Sequence, residues 1–153
     1  MGTPENQLLI LLNIFIATVL SGVIGFEREH VKKPAGLRTN MIVGSISCFF
    51  VAISPSLSNF IEANITSDLL SVDPIRVLQA IIVGISFIGA GTILKSKEEN
   101  TVQNLTTASS LLYSTGIGIS VALNAYIVAG GLTLIGLIIN QLGRWKKNQN
   151  LKK

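Results

Sequence analysis

Five apolar stretches, near residues 8–26, 41–61, 75–94, 105–123 and 126–142, take up most of this chain. Each approaches the roughly 20 residues that an α-helix needs to cross about 30 Å of hydrocarbon. Lipid offers no hydrogen-bond partner to an exposed backbone, so such segments cross as helices. Composition agrees, with 48% hydrophobic and only 13% charged residues and a mean hydropathy of +0.57. The expectation is an all-α, polytopic transmembrane bundle of about five helices. Residues 1–145 form its single transmembrane domain, and residues 146–153 form a basic cytoplasmic tail.

The charges give the bundle a direction. When the five stretches are threaded alternately through a bilayer, eleven of the twelve Lys and Arg residues fall on one side. Arg28, Lys32, Lys33 and Arg38 lie in the first connection, Lys95 and Lys97 in the third, and Arg144, Lys146, Lys147, Lys152 and Lys153 in the tail. Arg76 alone lies opposite, near Glu62, Asp68 and Asp73. Short basic segments are poorly translocated and remain cytoplasmic. The N-terminus is therefore expected outside, the C-terminus inside, and the location a bacterial inner membrane. The pI near 9.5 reports this topology, not nucleic-acid binding, and the basic face suits anionic headgroups. A cleavable signal peptide is not expected, because residues 1–7 carry no Lys or Arg and the first apolar stretch is long enough to span.

Local signals set the helix limits. Gly25-Phe26-Glu27-Arg28-Glu29-His30 ends the first helix by composition, and Pro34-Ala35-Gly36 breaks the chain. Thr39 or Asn40 can cap the second helix, which Pro55 is expected to kink or end; residues 56–72 are the longest external stretch, into which that helix can project. Asp73-Pro74 is a start signal, an acceptor at the cap followed by proline at the first helical position. Asn124 makes a tight external turn. Trp145 beside lysines matches a membrane-interface anchor. Cys48, the single cysteine, sits mid-helix and reads as a small buried residue.

Small residues recur at helical spacing: Ala17, Ser21 and Gly25; Ser110, Ser114, Gly118 and Ala122; Thr133, Gly136, Asn140 and Gly143. Such stripes let helices approach closely, and packing is what drives association in lipid. Gly84, Gly89 and Gly91 are denser, and either close packing or an opening at a ligand would explain them. A faint internal repeat is also present. Val23-Ile24-Gly25 followed by Leu37-Arg38-Thr39 matches Phe87-Ile88-Gly89 followed by Leu105-Thr106-Thr107.

No enzyme constellation and no cofactor motif is found. His30 is the only histidine, which disfavours histidine-based metal sites. Charge at the membrane boundaries remains: Glu27, Arg28, Glu29 and Arg38 at one, Asp73 and Arg76 at the other. Ionised groups in lipid pair or line polar cavities. The expectation is a Glu27–Arg38 and an Asp73–Arg76 ion pair, with Arg38 mattering more than Lys32 or Lys33. Glu27, Glu29 and Asp73 are the weak candidates for a metal, since Mg²⁺ takes carboxylate and water oxygens, but the cations around Glu27 and Glu29 oppose it.

Gly25-Phe26-Glu27-Arg28-Glu29 and Pro34-Ala35-Gly36-Leu37-Arg38-Thr39 resemble the signature of the MgtC/SapB family of bacterial inner-membrane proteins. Asp73-Pro74-Ile75-Arg76-Val77, Gly84-Ile85-Ser86-Phe87-Ile88-Gly89-Ala90-Gly91 and Leu105-Thr106-Thr107-Ala108 continue it in order, so that the resemblance covers about residues 20–120. Ser86 and Asn104 stand where that pattern has glycines, and its tryptophan of the fourth helix is missing. The resemblance implies a role in adaptation to low magnesium, sometimes with intracellular survival, and restraint of the F-type ATP synthase. It also implies that this chain lacks the soluble C-terminal domain of the longer virulence-associated members. Two functions stand: a non-enzymatic regulator that touches a larger membrane complex, and a small, oligomeric cation carrier or channel subunit using Glu27, Asp73 and residues 84–91. Its partners are then the lipid bilayer, that complex and further copies of the chain, with no nucleic acid.

Overall fold

Proline at the first helical position, where its missing N–H is not needed, opens helix α1 (Pro4–His30) and helix α3 (Pro74–Thr92). The computed structural model describes residues 3–64, 73–95 and 102–150. It adds α2 (Leu37–Asn64), α4 (Leu105–Ala122) and α5 (Tyr126–Asn150). Strands β1 (Leu94–Lys95) and β2 (Val102–Gln103) pair antiparallel between α3 and α4. Asp68, Lys97, Lys152 and Lys153 lie outside the described residues, as do the side chains of Glu62, Lys95 and residues 143–150, so the anchoring expected of Trp145 does too.

The five expected helices are present, with differences at their ends. First, α1 does not stop at Phe26 but continues through Glu27, Arg28 and Glu29 to His30. Second, α2 begins at Leu37, before Thr39 or Asn40 could cap it. The cap comes instead from Glu29, whose Oε2 accepts from Leu37 N at 2.8 Å. Asn40 lies in the first turn, where its Nδ2 donates to the carbonyls of Ala35 (2.6 Å) and Gly36 (2.9 Å). Third, α2 runs through Pro55 to Asn64. Pro55 cannot bond the carbonyl of Val51, but the Ser54 hydroxyl donates to that oxygen at 2.9 Å, a standard repair of a proline inside a membrane helix. α5 likewise continues to Asn150 through the stretch expected as a tail.

α1, α2 as far as Ile61, and α3 are long and apolar enough to cross a membrane; the apolar part of α5, Tyr126–Leu142, is shorter. A third or less of the most apolar window of each span is buried, so most of their apolar surface remains for lipid or other helices. What holds the bundle is close approach at small residues. A Cβ added to Gly118 on α4 would strike the carbonyl oxygen of Gly44 on α2, and one added to Gly44 would strike Ser21 Oγ on α1. At Gly25 it would come within 2.8 Å of Leu37 Cα, and at Gly136 within 2.9 Å of Ile24 Cδ1 and 2.8 Å of the Tyr113 ring. The stripes read as packing surfaces are therefore packing surfaces at Ser21, Gly25, Gly118 and Gly136, and Gly143 lies outside the described side chains. Around them Ala17, Ile24, Cys48, Ile117, Val121 and Ala129 form one buried cluster, and Val43, Ile81, Ile85 and Leu111 form another beside α3.

The faint repeat has a structural counterpart. Asn40 stands three residues after Leu37, and Ala108 three after Leu105. A Cβ on Gly25 would lie 2.9 Å from Asn40 Cβ, and one on Gly89 would lie 3.3 Å from Ala108 Cβ. The same two repeat positions thus meet in both hairpins, α1–α2 and α3–α4.

Candidate functional site

α1 and α4 run antiparallel, and polar residues meet along them at three levels. At one end Asn13 Nδ2 donates to Asn124 Oδ1 at 3.2 Å, and the Tyr126 hydroxyl donates to Asn13 Oδ1 at 2.8 Å. In the middle Ser114 Oγ donates to Asn40 Oδ1 at 2.8 Å, and Ser21 Oγ approaches the Ser114 carbonyl at 3.5 Å. At the basic end Arg28 Nη2 donates to Thr107 Oγ1 at 2.8 Å. Ser21, Asn40, Thr107 and Ser114 are fully buried, in a seam between α1, α2 and α4. Interhelical bonds of this kind contribute about 0.6 kcal/mol each on average in membrane proteins. They fix register more than they supply stability.

Arg28 is the unusual member, with only 4% of its surface exposed. Arg28 reaches α4 at Thr107, while Glu29 faces the start of α2. Glu27 is buried too, and Arg38 is exposed. Among the described residues, Glu27–Arg38 is not an ion pair; the cation that enters the bundle is Arg28. At the opposite end Asp73 caps α3 by accepting from Ile75 N at 2.9 Å. It lies 3.8 Å from Arg76 Nε with the Arg76 side chain 83% exposed, as that pairing was read. An exposed pair of this kind contributes less than about 1 kcal/mol.

The remaining sequence candidates divide. Thr107 is in the seam, while Thr106 is exposed one residue before it. Gly89 packs on Ala108, but Gly84 and Gly91 have nothing within 4 Å of an added Cβ. With Phe87 and Ile88 they lie on the outward face of α3. Among the described residues no three His, Cys, Asp or Glu side chains gather where they could hold a metal. Glu29 is engaged at Leu37 N, and Asp73 lies at the far end from Glu27. Asn13 was not foreseen, although a lone amide in an apolar span is itself a signal for a bond between helices.

The sequence model of the MgtC family matches residues 14–149. The chain belongs to the MgtC family. It is 33% identical to Protein SapB of Bacillus subtilis, over 89% of this chain and 57% of that one. It is 32% identical to the putative magnesium transporter YhiD of Escherichia coli K12, over 92% and 65% respectively. With Protein MgtC of Salmonella typhimurium LT2 it shares 34% identity, over 88% and 52%. The chain thus spans about half to two thirds of the length of these relatives. No solved structure matches it. Family and apolar helices together make this a membrane protein.

Proposed function

We propose that this MgtC-family chain is a non-enzymatic regulator in the bacterial inner membrane, supporting adaptation to low magnesium by helix contact with a larger membrane complex. The F-type ATP synthase is the first complex to test. One observation carries this reading: the charged group that hydrogen-bonds into the polar seam, at its basic end, is the guanidinium of Arg28. A Mg²⁺ path needs oxygen ligands and retained water, and a buried cation repels the ion. The contact surface is the outward face of α3, where Phe87 is 81% exposed and Gly84 and Gly91 leave room for a neighbouring helix. A second reading, a small cation carrier, is favoured by the name of the relative from E. coli K12, a putative magnesium transporter.

Purified protein in liposomes separates the two. The regulatory reading expects Mg²⁺ flux no greater than through empty liposomes, and flux that saturates with Mg²⁺ would overturn it. Two glycine variants then locate the contact. Gly84→Leu, in open space, should leave yield and melting temperature unchanged yet abolish growth support in low magnesium. Gly89→Leu, against Ala108, should lower the folded yield itself. A fully active Gly84→Leu strain would remove α3 from the proposal.

The membrane topology belongs to the same reading, with five crossings and the C-terminus inside. A cysteine at Ala63 should react with an impermeant maleimide added to whole cells, and a cysteine at Lys33 should react only after lysis. Buried Cys48 supplies little background. The reverse pattern would invert the bundle.

A further inference from the structure

Two helices begin at the basic end of the bundle, α2 and α4, and their N-termini are satisfied differently. The first turn of a helix presents N–H groups without intrahelical acceptors and a partial positive charge. At α2 a carboxylate answers both, since Glu29 Oε2 accepts from Leu37 N at 2.8 Å. Glu29 stands four residues after Gly25, and the residue four after Gly89 is Ile93, so the second repeat has no carboxylate at that place. Asn104 turns into α4 with φ 64° and makes no side-chain cap. Its Nδ2 donates instead to the Thr92 carbonyl at 3.1 Å. The Asn104 carbonyl accepts from Thr107 N and Ala108 N. Among the described residues, Leu105 N and Thr106 N find no acceptor.

Independently, Arg28 brings a second set of donors to the same turn. Its Nη2 donates to Thr107 Oγ1, in the first turn of α4, and its Nε is buried with no hydrogen-bond partner. A guanidinium only donates, and a buried donor left without an acceptor is costly. Glu27, the other buried charge among the described residues, precedes Arg28 on α1. Helix start and guanidinium together form a place furnished with donors. Leu105 and Thr106 are exposed, whereas Thr107, which Arg28 touches, is buried one residue further along the same turn.

We propose that the start of α4 binds a phosphate group, held by the free N–H groups of Leu105 and Thr106 and favoured by the charge of Arg28. Two sources share this chemistry: the headgroup of an anionic phospholipid at the membrane surface, and inorganic phosphate. The proposal does not depend on the regulatory reading.

The test compares melting temperatures of the purified chain in phosphatidylcholine nanodiscs with and without phosphatidylglycerol, and in chloride buffer with and without inorganic phosphate. Wild type should rise by roughly 2–4 °C on binding. A rise with phosphatidylglycerol but not with phosphate assigns the headgroup, and a rise with both assigns the phosphate group whatever carries it. Thr106→Asp supplies a carboxylate to the open turn. It should melt higher than wild type without added anion and lose the response, while Thr106→Ala keeps it. No rise in wild type, or an equal rise in Thr106→Asp, would overturn the site. Failure of Thr106→Asp to fold would overturn it equally, because a negative charge would then be unwelcome where an anion is said to bind.

Discussion

Gly118→Ala is expected to lower the stability of the fold more than any other single methyl added at a glycine of the bundle. The added methyl would strike the Gly44 carbonyl oxygen and come within 3.1 Å of Cys48 N. Overpacking costs about 1–3 kcal/mol when side chains can move aside. Here the obstacle is the backbone of α2, already pressed against Ser21 of α1, so the cost should reach about 3 kcal/mol or more. Whole domains have only about 5–15 kcal/mol of stability. Gly116→Ala is the matched control, two residues earlier on the same helix with nothing within 4 Å, and should stay within about 0.5 kcal/mol of wild type. Monodisperse yield in detergent and melting temperature decide it. Equal behaviour of the two variants would refute the crossing.

Arg28→Met should have the second largest effect. It removes the donor to Thr107 Oγ1 and leaves buried Glu27 without its cationic neighbour. Breaking a buried charged arrangement by removing one partner costs about 3–5 kcal/mol. Lys32→Ala and Arg38→Ala, both at exposed positions, should each cost less than about 0.5 kcal/mol. This replaces the expectation that Arg38 outweighs the lysines. Thr107→Val should cost less once Arg28 is gone, because both changes sever one bond. Thermal melts of the single and double variants measure the coupling, and strict additivity would remove that bond from the account.

Hydrophobic windows made the five helices legible, since each must hide its backbone from lipid, and Asp73-Pro74 marked the start of α3 to the residue. Helix ends at the basic face were harder. Glu27-Arg28-Glu29-His30 has the composition of a loop, yet Thr107 and Leu37 N offer partners that keep it helical. Neither partner is near in sequence: Thr107 is 79 residues from Arg28, and Leu37 lies across a turn. The three glycines of α3 looked alike because composition does not say which face a neighbour covers. Their spacing places Gly89 toward α4, and Gly84 and Gly91 away from it.

The three polar levels between α1 and α4 act together as a lock. Ser21 meets Ser114 and Arg28 meets Thr107, seven residues apart on each helix, and Asn13 meets Asn124 in the turn just past α4. A slide of one residue, about 1.5 Å, would misalign all three levels at once. α1, α2 and α4 are therefore held in one register by these bonds and by the close approach at Gly44 and Gly118. α3 leans on this group of helices at Ile81, Ile85 and Gly89 and, among the described residues, has no hydrogen-bonded level of its own along α1. A change in the tilt of α3 would therefore disturb none of the three levels, whereas a slide of α1 along α4 would break all of them.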